Sequence, residues 1–398
     1  MKALLVTASQ SSPPSSDIGG VSRETDTPVY VTGWVTVYRL HDIGNAIDLE
    51  AASAALQPVS AARARPARGE AQAIQIANPP LDVDLGTETL VVDADHHAVM
   101  FSARVFDFGV CALRARAPLP GGISWDALAV LGPRLEASAA MTNAFAAALD
   151  RVEGLLGRTV ERPERSPVSE SYAVFRATLL EDGDGKAIAP TSLSDAALAR
   201  LLLNETEPLS VTACAELLQH RFSFYDNDLA IVTWDNALVV DPRAADEDVE
   251  YVLEFANAQL LELRVYDAAL DAELPQMYDR IEAARGQEQT RTLSLPKRPL
   301  RQVLAGLQTR VADVTETIER AENALKVTDD VYLARVYAGA MDLFRAAAWR
   351  RGIDRKLEIM RQTYAMLNDE EQSARSHRLE VTVVLLILVE VAIALVWH

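Results

Sequence analysis

The chain has 398 residues, 49% of them hydrophobic, and carries 38 Lys and Arg against 57 Asp and Glu, a formal net charge of −19. That length supports two or three packed domains. The acidic balance argues against phosphate-backbone binding as the main activity, since that contact needs concentrated Lys and Arg, and it disfavours adsorption to anionic lipid.

Residues 1–29 contain SQSSPPSSDIGG and read as a flexible N-terminal tail. Ala3 to Val6 is too short for a signal-peptide core, and Asp17, Glu24 and Asp26 do not suit a transit peptide. Residues 30–157 read as an N-terminal α/β region. It opens with a β-branched and aromatic strand at Tyr30, and a helical stretch follows from Asp48. Arg63, Arg65 and Arg68 gather around Pro66 and read as a solvated loop. Strand-like runs follow, ending in HAVMFSARVFDFGVCALRARAPL. His96 and His97 within them have no further ligand at metal spacing and read as a turn or edge-strand pair. Cys111 and Cys214 lack C-x-x-C spacing, which suits two buried thiols. The helical segment after them takes Ser124 as N-cap, with Pro133 expected to break or kink it.

Residues 158–171, with two prolines and many charges, read as a charged linker. Residues 172–295 read as a core α+β domain. A strand turns at Asp182-Gly-Asp-Gly185, and helices follow with Ser192 or Ser194 as a cap. Leu229–Thr233 and Ala237–Val240 read as two strands joined by a short turn. A helix from about Glu247 then repeats Val249, Leu253, Ala256, Leu260 and Leu263 at helical spacing.

Residues 296–378 read as a helical hairpin or coiled coil. One stripe runs from Val303 through Leu307 to Leu325, a break falls at Asp329-Asp330, and a second stripe joins Ile353, Leu357, Met360, Tyr364 and Leu367. Residues 379–398 read as a C-terminal transmembrane helix, with Arg375, His377 and Arg378 before it placing the bulk of the chain in the cytoplasm. Glu390 sits inside that run at a cost of about 2.5–3.5 kcal/mol. The expected fold is therefore α+β: mixed or antiparallel sheet with flanking helices, then a long helical hairpin leading into the membrane.

Motifs of catalysis are absent from the sequence: no P-loop, no G-x-G-x-x-G after a strand, no H-E-x-x-H and no G-x-S-x-G. Asp226 and Asp228, with Asp235 nearby, form the best acidic constellation, and a metal-dependent hydrolase built on them is the alternative to a non-enzymatic role. Turn formation accounts for the same acids more simply.

The C-terminal half resembles the "required for meiotic nuclear division" family. The residues that carry the resemblance are YDNDLAIVTWDNALVVDP (Tyr225 to Pro242), EFANAQLLELRVYD (Glu254 to Asp267), DDVYLARVYAGAMD (Asp329 to Asp342), KLEIMRQTYAMLNDE (Lys356 to Glu370) and RSHRLEVTVVLLILVE (Arg375 to Glu390). HDIGNAIDLEAA and FDFGVCAL in the first half are similar to it as well. The resemblance implies structural or interaction roles for Asp228, Trp234, Asp235, Glu254, Asn257, Gln259, Glu262 and Arg264, and for Arg375, Ser376, Leu379, Glu380 and Glu390. It further implies a membrane-anchored oligomer that supports translation by tethering ribosomes, with no catalytic residue and no cofactor. The expected partners are thus the membrane through residues 379–398, further copies of the chain and a ribosome-associated protein. Neither direct nucleic-acid contact nor a small-molecule substrate is expected.

Overall fold

The computed structural model describes residues 28–56, 61–63, 75, 76, 78–205, 207, 209–245, 247–289 and 330–396, with isolated positions between 306 and 326. In chain order the first elements are β1 (Tyr30–Asp42), β2 (Gly44–Ile47), α1 (Leu49–Ala55), β3 (Ala61–Arg63) and β4 (Gln75–Ile76). Then come β5 (Leu81–Val92), β6 (Asp95–Val105), β7 (Val110–Pro118), β8 (Ile123–Ser124), α2 (Trp125–Ala137) and α3 (Ala139–Leu156). β9 (Val160–Pro163), β10 (Ser169–Glu181), α4 (Asp195–Leu203), α5 (Val211–Leu217) and β11 (Arg221–Phe222) follow. The chain continues with β12 (Leu229–Val232), β13 (Asn236–Val240), α6 (Asp248–Gln289), β14 (Leu325–Lys326), α7 (Val331–Leu343) and α8 (Ala346–Val396).

One mixed sheet of ten strands organises the molecule, in the order β11-β12-β13-β10-β1-β7-β6-β5-β3, with β8 against β1. β10 and β13 run parallel, and the other neighbours in it are antiparallel. Alternate residues point to opposite faces of a strand, and here both faces are covered. Val35 and Val37 of β1, Leu81 and Val83 of β5, and Leu113 and Ala115 of β7 join the core beneath α1–α4. Tyr38 and Leu40 of β1, Phe106 beyond β6, and Val110 and Ala112 of β7 pack on the opposite side with Leu253, Phe255 and Leu260 of α6 and Val336 of α7. A third cluster joins Leu270, Met277 and Ile281 of α6 to Ile353, Leu357, Met360 and Leu367 of α8.

Segment 158–171, read as a linker, forms β9 and the start of β10, and β10 pairs with β1 along nearly its whole length. Strands from both halves therefore share one sheet. The second arm of the expected hairpin is α8, but among the described residues it packs on the distal half of α6; most of the stripe from Val303 to Leu325 lies outside the described residues, and Leu325 itself stands in strand β14 and not in a helix. The N-terminal tail through Thr27 and Arg65 and Arg68 also lie outside them.

The expected transmembrane helix is corrected: among the described residues no helix is long and apolar enough to cross a membrane. The apolar run is the end of a 51-residue helix. Glu380 and Glu390 both fall within the roughly 20 residues, about 30 Å of helix, that a crossing at this end would need. The anchored localisation deduced from that segment falls with it.

Candidate functional site: an ion-paired cleft beneath α6

The cleft grows from a period-2 pattern at one end of the sheet. Asp82 and Asp84 on β5, Ser102 and Arg104 on β6, and Arg114 and Arg116 on β7 alternate with residues buried on the opposite face. The register sets Asp82 beside Arg104, Ser102 beside Arg114, and Tyr38 beside Arg114. Across from them stand Glu247, one residue before α6, and Glu250, Tyr251 and Glu254 at its start, whose spacing puts them on one side. Sheet and helix line an open cleft of about 460 Å³.

Arg104 is its hub. Its Nε and Nη2 donate to the two Asp82 oxygens at 2.8 and 3.1 Å, and its Nη1 donates to Glu254 Oε2 at 2.5 Å. The guanidinium also lies 4.4 Å from the centre of the Tyr251 ring. Arg114 donates to Asp82 Oδ1 at 2.8 Å and to Ser102 Oγ at 3.1 Å. Arg116 reaches Glu247 Oε2 at 2.7 Å and stacks over Trp34 at 4.8 Å. On the far side of Trp34, buried Arg176 meets Glu250 Oε1 at 2.6 Å and the Arg243 carbonyl at 2.9 Å.

Burial and charge act in opposite directions here. Burial lifts Glu250 and Glu254 above the usual carboxylate range, although each faces a guanidinium. For Asp82 burial also pulls upward, but Arg104 and Arg114 outweigh it and hold the group low. Glu247 follows the same pattern: burial pulls upward, but its bond to Arg116 and the charges of Arg116, Arg114 and Arg176 together outweigh it. Oε2 of Glu250 and Oε1 of Glu254 are buried without a hydrogen-bond partner among the described residues.

Of the residues singled out in the sequence, Glu254 belongs to this cleft. Asn257 donates to the Leu253 carbonyl at 2.8 Å, inside α6. Gln259 accepts from the Tyr337 hydroxyl, and Arg264 pairs with Glu170, tying α6 to α7 and to β10. Buried Glu262 accepts from Tyr266 and is lifted well above the carboxylate range by burial and by the nearby Asp42. Asp228, buried, accepts from the Phe224 amide at 2.7 Å. Asp226 is exposed in the turn before β12, and Asp235 is exposed in the turn after it, beside Trp234, whose ring packs against Phe344. A four-residue strand separates Asp228 from that second turn, roughly 13 Å. Among the described residues no group of three or more His, Cys, Asp or Glu could hold a metal ion. Leu379, Glu380 and Glu390 are exposed on α8, while the side chains of Arg375 and Ser376 lie outside the described ones.

Sequence reasoning missed Arg104, Arg114, Arg116, Arg176 and, Glu254 apart, the acids opposite them. The available signal was polar alternation inside otherwise apolar strands.

Asp42, at the end of β1, gives a first testable result. Burial pushes its carboxyl up from 3.8 to about 6, against the Gly44 amide that hydrogen-bonds its Oδ1. A carboxyl raised on folding favours the folded state fully below its unfolded value of 3.8, and the benefit is lost as pH rises through about 6. Asp42→Asn keeps the acceptor for Gly44 and removes the charge. After discounting for partial solvent exposure, it should stabilise the protein by about 1–2 kcal/mol at pH 8 and have little effect at pH 4. Urea unfolding at the two pH values measures this; equal shifts at both would refute it.

An open mixed sheet with helices on both faces and an ion-paired cleft under the start of a long helix defines the class, an α+β protein with a mixed-charge cleft. Within that class the chain belongs to the family described as "Uncharacterized protein MJ0711, N-terminal domain", whose model matches residues 32–247. The curated "Uncharacterized protein MJ0711" of Methanocaldococcus jannaschii is 26% identical over 226 residues, 57% of this chain and 66% of that protein, just under two thirds of its length. No solved structure matches. The meiotic nuclear division name is not what these matches carry. The matched region supplies the whole sheet side of the cleft and ends at Glu247, one residue before α6.

Proposed function

We propose that the chain is a non-enzymatic scaffold that assembles with further copies of itself through the far end of α8. The observation behind this reading is the stretch Leu379–Ile393. Leu385, Leu386, Ile387 and Leu388 are 59%, 61%, 53% and 62% exposed, so four consecutive positions, covering every side of the helix, are apolar and open. α8 packs on α6 as far as Leu367, and apolar surface of this extent marks an interaction site. Copies of the same helix can cover it by knobs-into-holes packing, and apolar residues on all sides call for more than two helices. Glu390 then lies at the interface, where it sets register at a cost in stability. The resemblance of residues 172–398 to the required for meiotic nuclear division family supports the same reading, and it suggests a ribosome-associated partner for the assembled sheet domains.

Light scattering on the size-separated full chain tests it. The wild type should run as a trimer or larger, and Leu385→Asp/Leu388→Asp should run as a monomer with an unchanged far-ultraviolet spectrum. A wild-type monomer across a hundred-fold range of concentration would overturn the proposal.

A further inference from the structure

The arginines of the cleft are not equally committed. Arg104 makes three hydrogen bonds to carboxylate oxygens, and Arg176 is held by Glu250 and a carbonyl. Arg116 spends only Nη2, on Glu247, and its side chain is 28% exposed. Its Nε and Nη1 make no hydrogen bond to a described residue. Arg114 spends Nε and Nη2, while its Nη1 stands 3.9 Å from Glu254 Oε2, too far for a hydrogen bond. Ser102 accepts from Arg114, which leaves its hydroxyl proton free to donate. These donors line the same cavity.

We propose that Arg116, with Arg114 and Ser102 beside it, docks the oxyanion head of a small ligand, and that Glu247 is the built-in competitor holding the place until the ligand arrives. Trp34 packs against the Arg116 guanidinium and holds it in place, and the planar fork of its donors matches a carboxylate or phosphate. Glu247 is the partner best placed to yield: its side chain is 37% exposed and sits outside the helix, one residue before α6 begins. The start of α6 adds the positive end of its dipole.

The surrounding charge narrows the ligand class. Asp82, Asp84, Asp248, Glu250 and Glu254 remain around the cavity after Glu247 leaves, so a polyanion is repelled. The fitting ligand carries one oxyanion group on a neutral or cationic body small enough for about 460 Å³. This inference is independent of assembly through α8, which lies outside the cleft.

Calorimetric titration of the full chain with inorganic phosphate, and separately with acetate, at constant ionic strength tests it. Wild type should bind at least one of the two probes, the tighter identifying the head group. Glu247→Gln should bind the same probe about five- to ten-fold more tightly, Arg116→Gln should lose it, and tripolyphosphate should gain nothing over phosphate. Ser102→Ala, a small change on a strand, should weaken binding and remains informative if Arg116→Gln fails to fold. Undiminished binding by Arg116→Gln or Ser102→Ala, tighter binding of tripolyphosphate, or Glu247→Gln that binds neither probe more tightly than wild type would each overturn the assignment.

Discussion

Arg176→Met is expected to destabilise the protein by about 3–5 kcal/mol, read from the midpoint of urea unfolding. Arg176 is 1% exposed and its partner Glu250 is 4% exposed, both shielded beneath the first turn of α6. Removing the guanidinium leaves a carboxylate in a medium that cannot solvate it. Burial already lifts Glu250, so the variant's remedy is to take up a proton. That makes the loss pH-dependent: smaller at pH 5, where protonation is easy, and larger at pH 8. The companion variant Arg176→Met/Glu250→Met should recover most of the loss, since two apolar side chains of similar length replace two buried charges. What stays lost is the bond to the Arg243 carbonyl, about 1 kcal/mol. If the double variant is no more stable than the single one, the pair is not an isolated buried couple and the cleft acts as one network.

That network explains what could and could not be read from the chain. Local signals carried well. Ser124 and Ser194 cap α2 and α4 by accepting from the third amide onward, as their positions suggested. The hairpin read as Leu229–Thr233 and Ala237–Val240 forms over Leu229–Val232 and Asn236–Val240. Pro133 sits inside α2 without ending it, and the helix continues to Ala137. His96 and His97 stand in β6 facing β5, one step further into the strand than the turn they follow. The cleft is another matter, because Arg104 and Glu254 are 150 residues apart and only the order β7-β6-β5 under α6 brings them together. A charge inside an apolar strand looks locally like edge protection. It became a buried ion pair because α6 covers that face, which nothing in the strand itself specifies. The same dependence on tertiary context governs α8: its sequence reads as a membrane span when taken alone, whereas in the fold it continues a helix packed on α6.

Gly109→Ala should cost about 3–5 kcal/mol or prevent folding. The turn Phe106–Gly109 joins β6 to β7, and Gly109 has φ +101°, a conformation that disfavours any side chain. A Cβ there would also stand 1.8 Å from the Gly44 carbonyl oxygen, which is backbone and cannot swing away. Relief would require β2 to separate from this turn, at the expense of the bonds from Ile43 N to the Gly109 carbonyl at 3.0 Å and from Ile47 N to the Asp107 carbonyl at 2.9 Å. Phe106 and Phe108 of the same turn stack on each other and meet Phe255 of α6 edge-on, with ring centres 5.9 and 6.2 Å away. Phe255 is the neighbour of Glu254, so a displaced turn also moves the carboxylate that closes on Arg104. Gly86→Ala supplies the comparison. Its φ is +92° but nothing lies within 4 Å of the added carbon, so only the conformational cost of about 1–2 kcal/mol applies. Thermal unfolding of the two variants separates strain from collision. Equal losses would mean that β2 yields freely, and that the Phe106–Gly109 turn does not fix the height of α6 above the cleft.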